Sequence, residues 1–304
     1  MKVSVIISVY NAEDIIDITL PKFLNQNYPK DKLDLIIVND ASTDNSYNLL
    51  KKYNLNNNFN LINHKRNKGR CATRNSGINN ASGDLIIFVD CDIEVEKNFV
   101  LFHAAFHENE NIIGLLSNVK PIKYKNQSKY HKFLSRKKRG AKSFGNQIPI
   151  PFKYFIFTAT SVKKFAIDKT GLLDENLIGY GIDLHYSYRL WKYFPENLFF
   201  ESSIIVNQHK LKDFNQALFD FQDYGKRNLP IILKSFPELS KDLGISLFEK
   251  NSFFSIIIRN LIFNDLMKIL TIFFIKFLPA NFCYPFIKFR MLSELISGFK
   301  QKRT

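Results

Sequence analysis

Short apolar, β-branched runs punctuate the first 120 residues at regular intervals. Val3 to Val9 reads as a buried parallel strand, Leu33 to Val38 as a second and Phe59 to Ile62 as a weaker third. Gly83 precedes a fourth strand, Asp84 to Val89, and Ile112 to Ser117 makes a fifth. Between them lie segments of helical spacing. Ala12 to Asn25 carries Ile15, Ile16, Leu20, Phe23 and Leu24 on one face. A helix is expected after Asp44, which is placed to cap it. Arg70 to Asn80 is another, and a further one starts at about Lys97. Strands alternating with helices at this spacing predict a parallel sheet with helices on both faces. Further on, a helix is expected over Leu184 to Tyr193 and a strand over Ser203 to Val206, while the Asn-rich stretch Asn54 to Asn58 reads as a loop.

In such sheets ligands bind beyond the carboxyl ends of the strands, so the residues following each strand carry the chemical information. They are Tyr10-Asn11, Asn39-Asp40 and Asp90-Cys91-Asp92. No glycine-rich turn follows the first strand, which argues against a dinucleotide-dependent dehydrogenase. Asp90 and Asp92 stand two apart, and in extended chain such residues share a face. Hard carboxylate oxygens suit Mg²⁺ or Mn²⁺ bridging the phosphates of a nucleotide, and a solvated turn is the plainer alternative.

Several segments, in order, resemble glycosyltransferase family 2. They are Val3 to Asn11 (VSVIISVYN), Val38 to Asp44 (VNDASTD), Asn67 to Gly77 (NKGRCATRNSG) and Gly83 to Asp92 (GDLIIFVDCD). Later come Gly171 to Glu175 (GLLDE) and Gly179 to Leu190 (GYGIDLHYSYRL). The resemblance implies a Rossmann-like α/β nucleotide-diphospho-sugar transferase fold with a mainly parallel central sheet. It implies that Tyr10 and Asp40 hold the base, with Lys68 and Arg74 near the base or diphosphate. Asp90 would contact the ribose and the metal, Asp92 would ligate Mn²⁺ or Mg²⁺ with His209 as a further ligand, and Asp183 would be the general base of an inverting transfer. Three positions depart from the family pattern: Ser8 replaces a frequent Pro, Ala41 a frequent Gly, and Ile182 the usual Glu before Asp183.

Charge and composition locate the rest. The chain of 304 residues carries a net +15, yet residues 1 to 100 sum to zero. Lys120 to Lys142 holds ten basic residues and no acidic one. That surplus suits an anionic membrane surface or a phosphorylated acceptor, and no nucleic-acid motif accompanies it. From Phe253 to Phe289 the chain is rich in Phe, Ile and Leu. Asn260, Asn264, Lys268 and Thr271 form a polar stripe, and Pro279 and Pro285 are expected to break the helix. This pattern reads as an in-plane membrane anchor. Three dispersed cysteines, the lack of a signal-type N-terminus and the lack of a long apolar run lead us to expect a cytoplasmic protein, peripheral at the inner face of the cell membrane. The expected organisation is a catalytic domain over 1–230 (a nucleotide-binding half, 1–118, and an acceptor half, 119–230) and a helical region over 231–304. The expected partners are a nucleotide-diphospho-sugar donor and a glycan or lipid-linked acceptor. A nucleotidyltransferase and a nucleotide-sugar-binding regulator without catalysis remain as alternatives.

Overall fold

A computed structural model of the chain describes residues 1–54, 59–122, 127–246 and 253–301. Lys123, Lys125 and all but the first residue of the Asn-rich stretch lie outside the described residues. In chain order the elements are β1 (Val3–Val9), α1 (Ile16–Leu24), β2 (Leu33–Asn39), α2 (Ser46–Tyr53), β3 (Phe59–Asn63), α3 (Arg70–Asn79), β4 (Leu85–Asp90) and β5 (Ile93–Val95). There follow α4 (Phe99–Phe106), β6 (Gly114–Pro121), α5 (Lys129–Leu134), β7 (Ala159–Lys163), α6 (Lys164–Thr170), α7 (Ile182–Tyr193) and β8 (Leu198–Gln208). Among the described residues the later elements are helices: α8 (Phe214–Lys226), α9 (Asn228–Ser235), α10 (Leu239–Asp242), α11 (Phe253–Ile262), α12 (Asp265–Phe277) and α13 (Ala280–Gln301). Two units emerge. The first comprises Met1–Ile122, Lys137–Asn176 and Ile182–Leu211, the second Lys123–Arg136, Leu177–Gly181 and Lys212–Thr304.

The first unit holds an eight-stranded sheet in the order β3-β2-β1-β4-β7-β6-β8-β5. β3, β2, β1 and β4 run parallel, as their apolar runs predicted, and β6 pairs parallel with β8. The sheet is nevertheless mixed, because β7 runs antiparallel between β4 and β6, and β5 antiparallel on β8. The register sets Val9 beside Asn39 and Ser8 beside Asp90, so three strands end together. One side of the sheet packs Val5, Ile7, Leu35, Ile37 and Ile87 on Ile16, Leu20 and Phe23 of α1, all in one buried cluster. β7 carried no apolar signal because its buried Ser161 replaces apolar packing by hydrogen bonds, to His103 Nδ1 of α4 (2.7 Å) and to Nε2 of His107, the residue that follows α4 (2.8 Å).

In the second unit α8 and α13 approach so closely that only glycine fits at two facing positions. A Cβ on Gly225 would lie 1.9 Å from the Leu295 carbonyl oxygen, and one on Gly298 1.9 Å from that of Gln222. Tyr130, Phe133, Ala217, Cys283, Ile287 and Met291 form its buried core. Lys129 donates to the Ile275, Lys276 and Leu278 carbonyls (3.0, 2.7 and 2.7 Å), closing the C-terminus of α12. Two tail expectations change. Pro279 separates α12 from α13, but Pro285 sits inside α13, in its second turn, where it removes one ladder bond without ending the helix. Among the described stripe residues, Asn264 caps α12 by accepting from Met267 N–H (2.8 Å), while Thr271 is buried.

Candidate active site

The loops after β1 and β2 are stitched together at the ends of their strands. Asn11 Oδ1 accepts from Thr43 N–H (2.8 Å), Ser42 Oγ from Asn11 N–H (3.0 Å) and Ser46 Oγ from Ala12 N–H (2.8 Å). The N-cap position of α2 is Asn45, not Asp44; Asp44, one residue earlier, accepts from Ser46 N–H (3.0 Å) and from Glu13 N–H (3.1 Å), so it bridges the two loops. Asn11 and Ala41 adopt left-handed φ angles of 48° and 55°. Asn tolerates that conformation, whereas for Ala it is strained. Tyr10 stands exposed at this edge.

Asp40 is buried, and its carboxylate accepts from the backbone N–H groups of Lys68 (2.9 Å) and Gly69 (2.8 Å). It also bonds His64 Nδ1 at 2.7 Å, while His64 Nε2 meets Ser76 Oγ at 2.9 Å. A carboxylate only accepts, so His64 Nδ1 donates to Asp40. Asp40 thus anchors the loop that leads into α3, leaving the Lys68 side chain exposed. Gly69, with φ 86°, makes the turn into the helix.

Arg74, on α3, is 2% exposed, and its guanidinium joins two of the predicted carboxylates. Nη1 donates to Asp183 Oδ1 (3.1 Å); Nη2 donates to Asp90 Oδ1 (3.3 Å) and to the Phe157 carbonyl (2.8 Å). The next residue, Asn75, donates to the Leu173 carbonyl and to Glu175 Oε1 (both 2.9 Å) and accepts from Leu173 N–H (2.9 Å). The Arg-Asn pair therefore fastens both later motif segments to α3. Asp183 lies in the first turn of α7, which starts one residue before it, at Ile182. Ile182 is buried, so the position of the usual acidic neighbour belongs here to the core.

Asp92 is buried, and burial first, then the neighbouring Asp90 charge, pushes its carboxyl up to about 6. Gln208 Nε2 donates to its Oδ2 at 3.2 Å. His209 N–H donates to the Asp92 carbonyl (2.9 Å), and its imidazole Nε2 bonds Glu94 Oε2 (2.9 Å), whose other oxygen, Oε1, faces Lys22 (3.4 Å). Among the described residues no three carboxylate, imidazole or thiolate side chains converge as a metal cage. The Asp90–Asp92 pair fits a small divalent cation on its own terms, since Mg²⁺ takes one or two carboxylates and fills its shell with phosphate and water oxygens. Arg70, exposed at the start of α3, completes the electrostatics: Asp90 foremost, then Asp183 and Asp92, push its guanidinium pKa upward.

Sequence reasoning passed over His64, Asn75, Glu94, Gln208 and Arg70. His64 follows β3 directly and was open to the same strand-end rule as Asp40 and Asp90. The partners of the others form only in three dimensions.

Residues 4–169 match the sequence profile of glycosyl transferase family 2, a span that contains Tyr10, Asp40, Lys68, Arg74, Asp90 and Asp92; Asp183 and His209 lie beyond it. Poly(ribitol-phosphate) beta-glucosyltransferase of Bacillus spizizenii is 42% identical over 118 residues, 38% of this chain and 19% of that protein. Cholesterol galactosyltransferase of Borreliella burgdorferi is 26% identical over 301 residues, 96% of this chain and 75% of that protein. The chain thus spans far less than two thirds of the first of these relatives. The mannosyltransferase PcManGT from Pyrobaculum calidifontis, solved with GDP-Man and Mn²⁺, has the same fold. Its TM-score is 0.64 at 13% identity, covering 99% of this chain and 88% of that one. On a profile match that spans more than half of its residues and a sheet of the same architecture, this chain belongs to glycosyl transferase family 2.

Proposed function

We propose that the chain moves a sugar from a nucleoside-diphosphate-sugar donor to a hydroxyl of a glycan or lipid-linked acceptor, with inversion at the anomeric carbon and at the cytoplasmic face of a membrane. The observation that carries the chemistry is the buried Arg74, which ties Asp90, at the metal-type strand end, to Asp183 on α7. Two acids of different segments are held by one rigid fork, and such preorganisation is what displacement at a single carbon requires.

In this reading Tyr10, exposed after β1, and Lys68, exposed in the loop before α3, contact the base and diphosphate, and Asp40 holds the Lys68 loop in place. Arg70 faces the charge that grows on the departing diphosphate. Asp90 and Asp92 would hold Mn²⁺ or Mg²⁺, which when bound neutralises the diphosphate as it leaves. His209, next to them, bonds Glu94 and stands as a further candidate ligand. The acceptor oxygen forms its bond to the anomeric carbon opposite the breaking C–O bond, and its proton passes to Asp183. One oxygen of Asp183 is fixed by Arg74 while the side chain keeps contact with solvent, as a base that meets an incoming hydroxyl must.

Incubation with a panel of nucleoside-diphosphate sugars, with and without Mn²⁺, tests this. Release of free nucleoside diphosphate that Asp92→Asn abolishes supports it. Release of pyrophosphate would instead identify nucleotidyl transfer, and no turnover of any donor would leave a binding protein.

A further inference from the structure

The second unit presents a helix that is amphipathic in the inverted sense. On α12, Leu266, Ile269, Phe273 and Phe277 follow one another at spacings of three and four, so they line a single face. They are 64%, 63%, 54% and 63% exposed. Two polar residues in the middle of the same helix point the other way, with Thr271 2% exposed and donating to the Lys268 carbonyl (2.7 Å), while Asp265 at its start and Lys276 near its end are exposed. Lys268 is itself mostly covered. A helix packed on a water-soluble body normally turns its apolar stripe inward. The outward apolar surface continues with Leu261 and Ile262 at the end of α11 and with Ile272 and Leu270 of α12. Single exposed apolar residues need no explanation, but a contiguous row of large ones marks a surface that meets something other than water.

We propose that this face of α11 and α12 docks in the plane of an anionic lipid bilayer. Charge complementarity selects that occupant. The second unit carries nineteen Lys and Arg against eight Asp and Glu, so eleven of the chain's fifteen excess positive charges lie in the unit that bears the apolar face. A second copy of the same unit would bring the same surplus against it. Anionic headgroups remove that repulsion, and the acyl boundary takes the Leu, Ile and Phe side chains. Among the described residues no helix is long and apolar enough to cross a membrane, and α12, at 13 residues, is sized to lie in the interface. Docking by this face does not depend on the chemistry proposed for the sheet.

The test uses the full chain and vesicles of phosphatidylcholine, alone or mixed with phosphatidylglycerol, in a flotation assay. The variant is Leu266→Ser/Ile269→Ser/Phe273→Ser/Phe277→Ser, whose changed side chains already face outward and leave the buried core untouched. The wild type is expected to float with the mixed vesicles, less so as salt rises and weakly with phosphatidylcholine alone. The fourfold variant is expected to lose at least about a hundredfold in partitioning, since each buried apolar side chain contributes roughly a tenfold factor. Its melting temperature and donor binding should be unchanged. Equal flotation of variant and wild type overturns the proposal, as does equal binding to neutral and anionic vesicles. A wild-type dimer that the variant breaks, with no vesicle binding by either, shows that a second copy covers the face and also overturns it.

Discussion

Replacing Arg74 should separate the two halves of the site from each other. Its guanidinium makes three hydrogen bonds, at 2.8, 3.1 and 3.3 Å, to one carbonyl and two carboxylates. Removing one partner of a buried ion pair costs about 3–5 kcal/mol. Here the Asp90 and Asp183 side chains retain 20% and 28% exposure. Water then restores part of the loss, so about 2–4 kcal/mol is expected for Arg74→Ala. Lysine keeps the charge but not the fork, and Arg74→Lys should cost about 1–2 kcal/mol. At roughly 2–4 °C per kcal/mol for chains of this size, the melting temperature should fall by about 5–15 °C in the first case and a few degrees in the second. Activity should suffer more than stability in the lysine variant. With Asp183 and Asp90 no longer fixed to one group, single-turnover transfer should drop about a hundredfold, the typical result of misplacing reacting groups by an ångström. A double-mutant cycle with Asp183→Asn should be strongly non-additive. If Arg74→Lys transfers sugar within about threefold of wild type at an unchanged melting temperature, the bridge has no catalytic meaning.

Two further outcomes follow from the first unit. His107 Nδ1 bonds the Ile112 carbonyl, which only accepts, so the neutral chain of bonds runs in one sense: Ser117 O–H to His103 Nε2, His103 Nδ1–H to Ser161, Ser161 O–H to His107 Nε2. Burial pushes both imidazoles down to about 3. Their folded pKa lies below the unfolded one, so the stabilisation is complete above about 6.5 and lost as pH falls toward 3; by pH 5 the pair costs about 4 kcal/mol and His185, pushed down by burial to about 4, about 2 more, of which Asp92, raised instead, returns about 1. Urea midpoints at pH 7.5 and 5 should differ accordingly, and a His103→Gln/His107→Gln variant with the same pH slope would contradict the assignment. Ala41→Gly should raise stability by about 0.5–1 kcal/mol, because it relieves the left-handed φ of 55° at Ala41. An unchanged or lower melting temperature would deny the strain.

The apolar runs Val3–Val9, Leu33–Asn39 and Leu85–Asp90 made the nucleotide-binding side of the sheet legible, because strands buried on both faces write their burial into composition. The three polar strand ends then pointed at the site. What the sequence hid is polar and long-range. β7 is buried through Thr160 and Ser161, and β5 has three residues, too few for a period. The pairing of Arg74 with Asp183 spans 109 positions, and a charge on a helix looks the same in sequence whether it meets water or two carboxylates. His209 follows β8 beside the metal-type pair, its N–H donating to the Asp92 carbonyl, and the hydrogen bond of its ring to Glu94, on a strand too short to be read, is visible only in the structure. In the tail, periodicity located the polar stripe but not its direction, since helical spacing fixes which residues share a face and leaves open which face looks outward.

The proposed division of labour in the site rests on Asp183 taking the acceptor proton while the strand ends hold the donor. The most direct test is transfer by Asp183→Asn, measured by release of nucleoside diphosphate and appearance of glycosylated product under single turnover, beside donor affinity by calorimetry. Asparagine keeps the size of the side chain and can still meet the Arg74 fork through its amide oxygen. Donor affinity within about threefold of wild type, with transfer slower by about 10²–10⁴, is the predicted result. Transfer at the wild-type rate with intact product would contradict the account, and Glu175, held by Asn75, would then be the carboxylate to examine as the base.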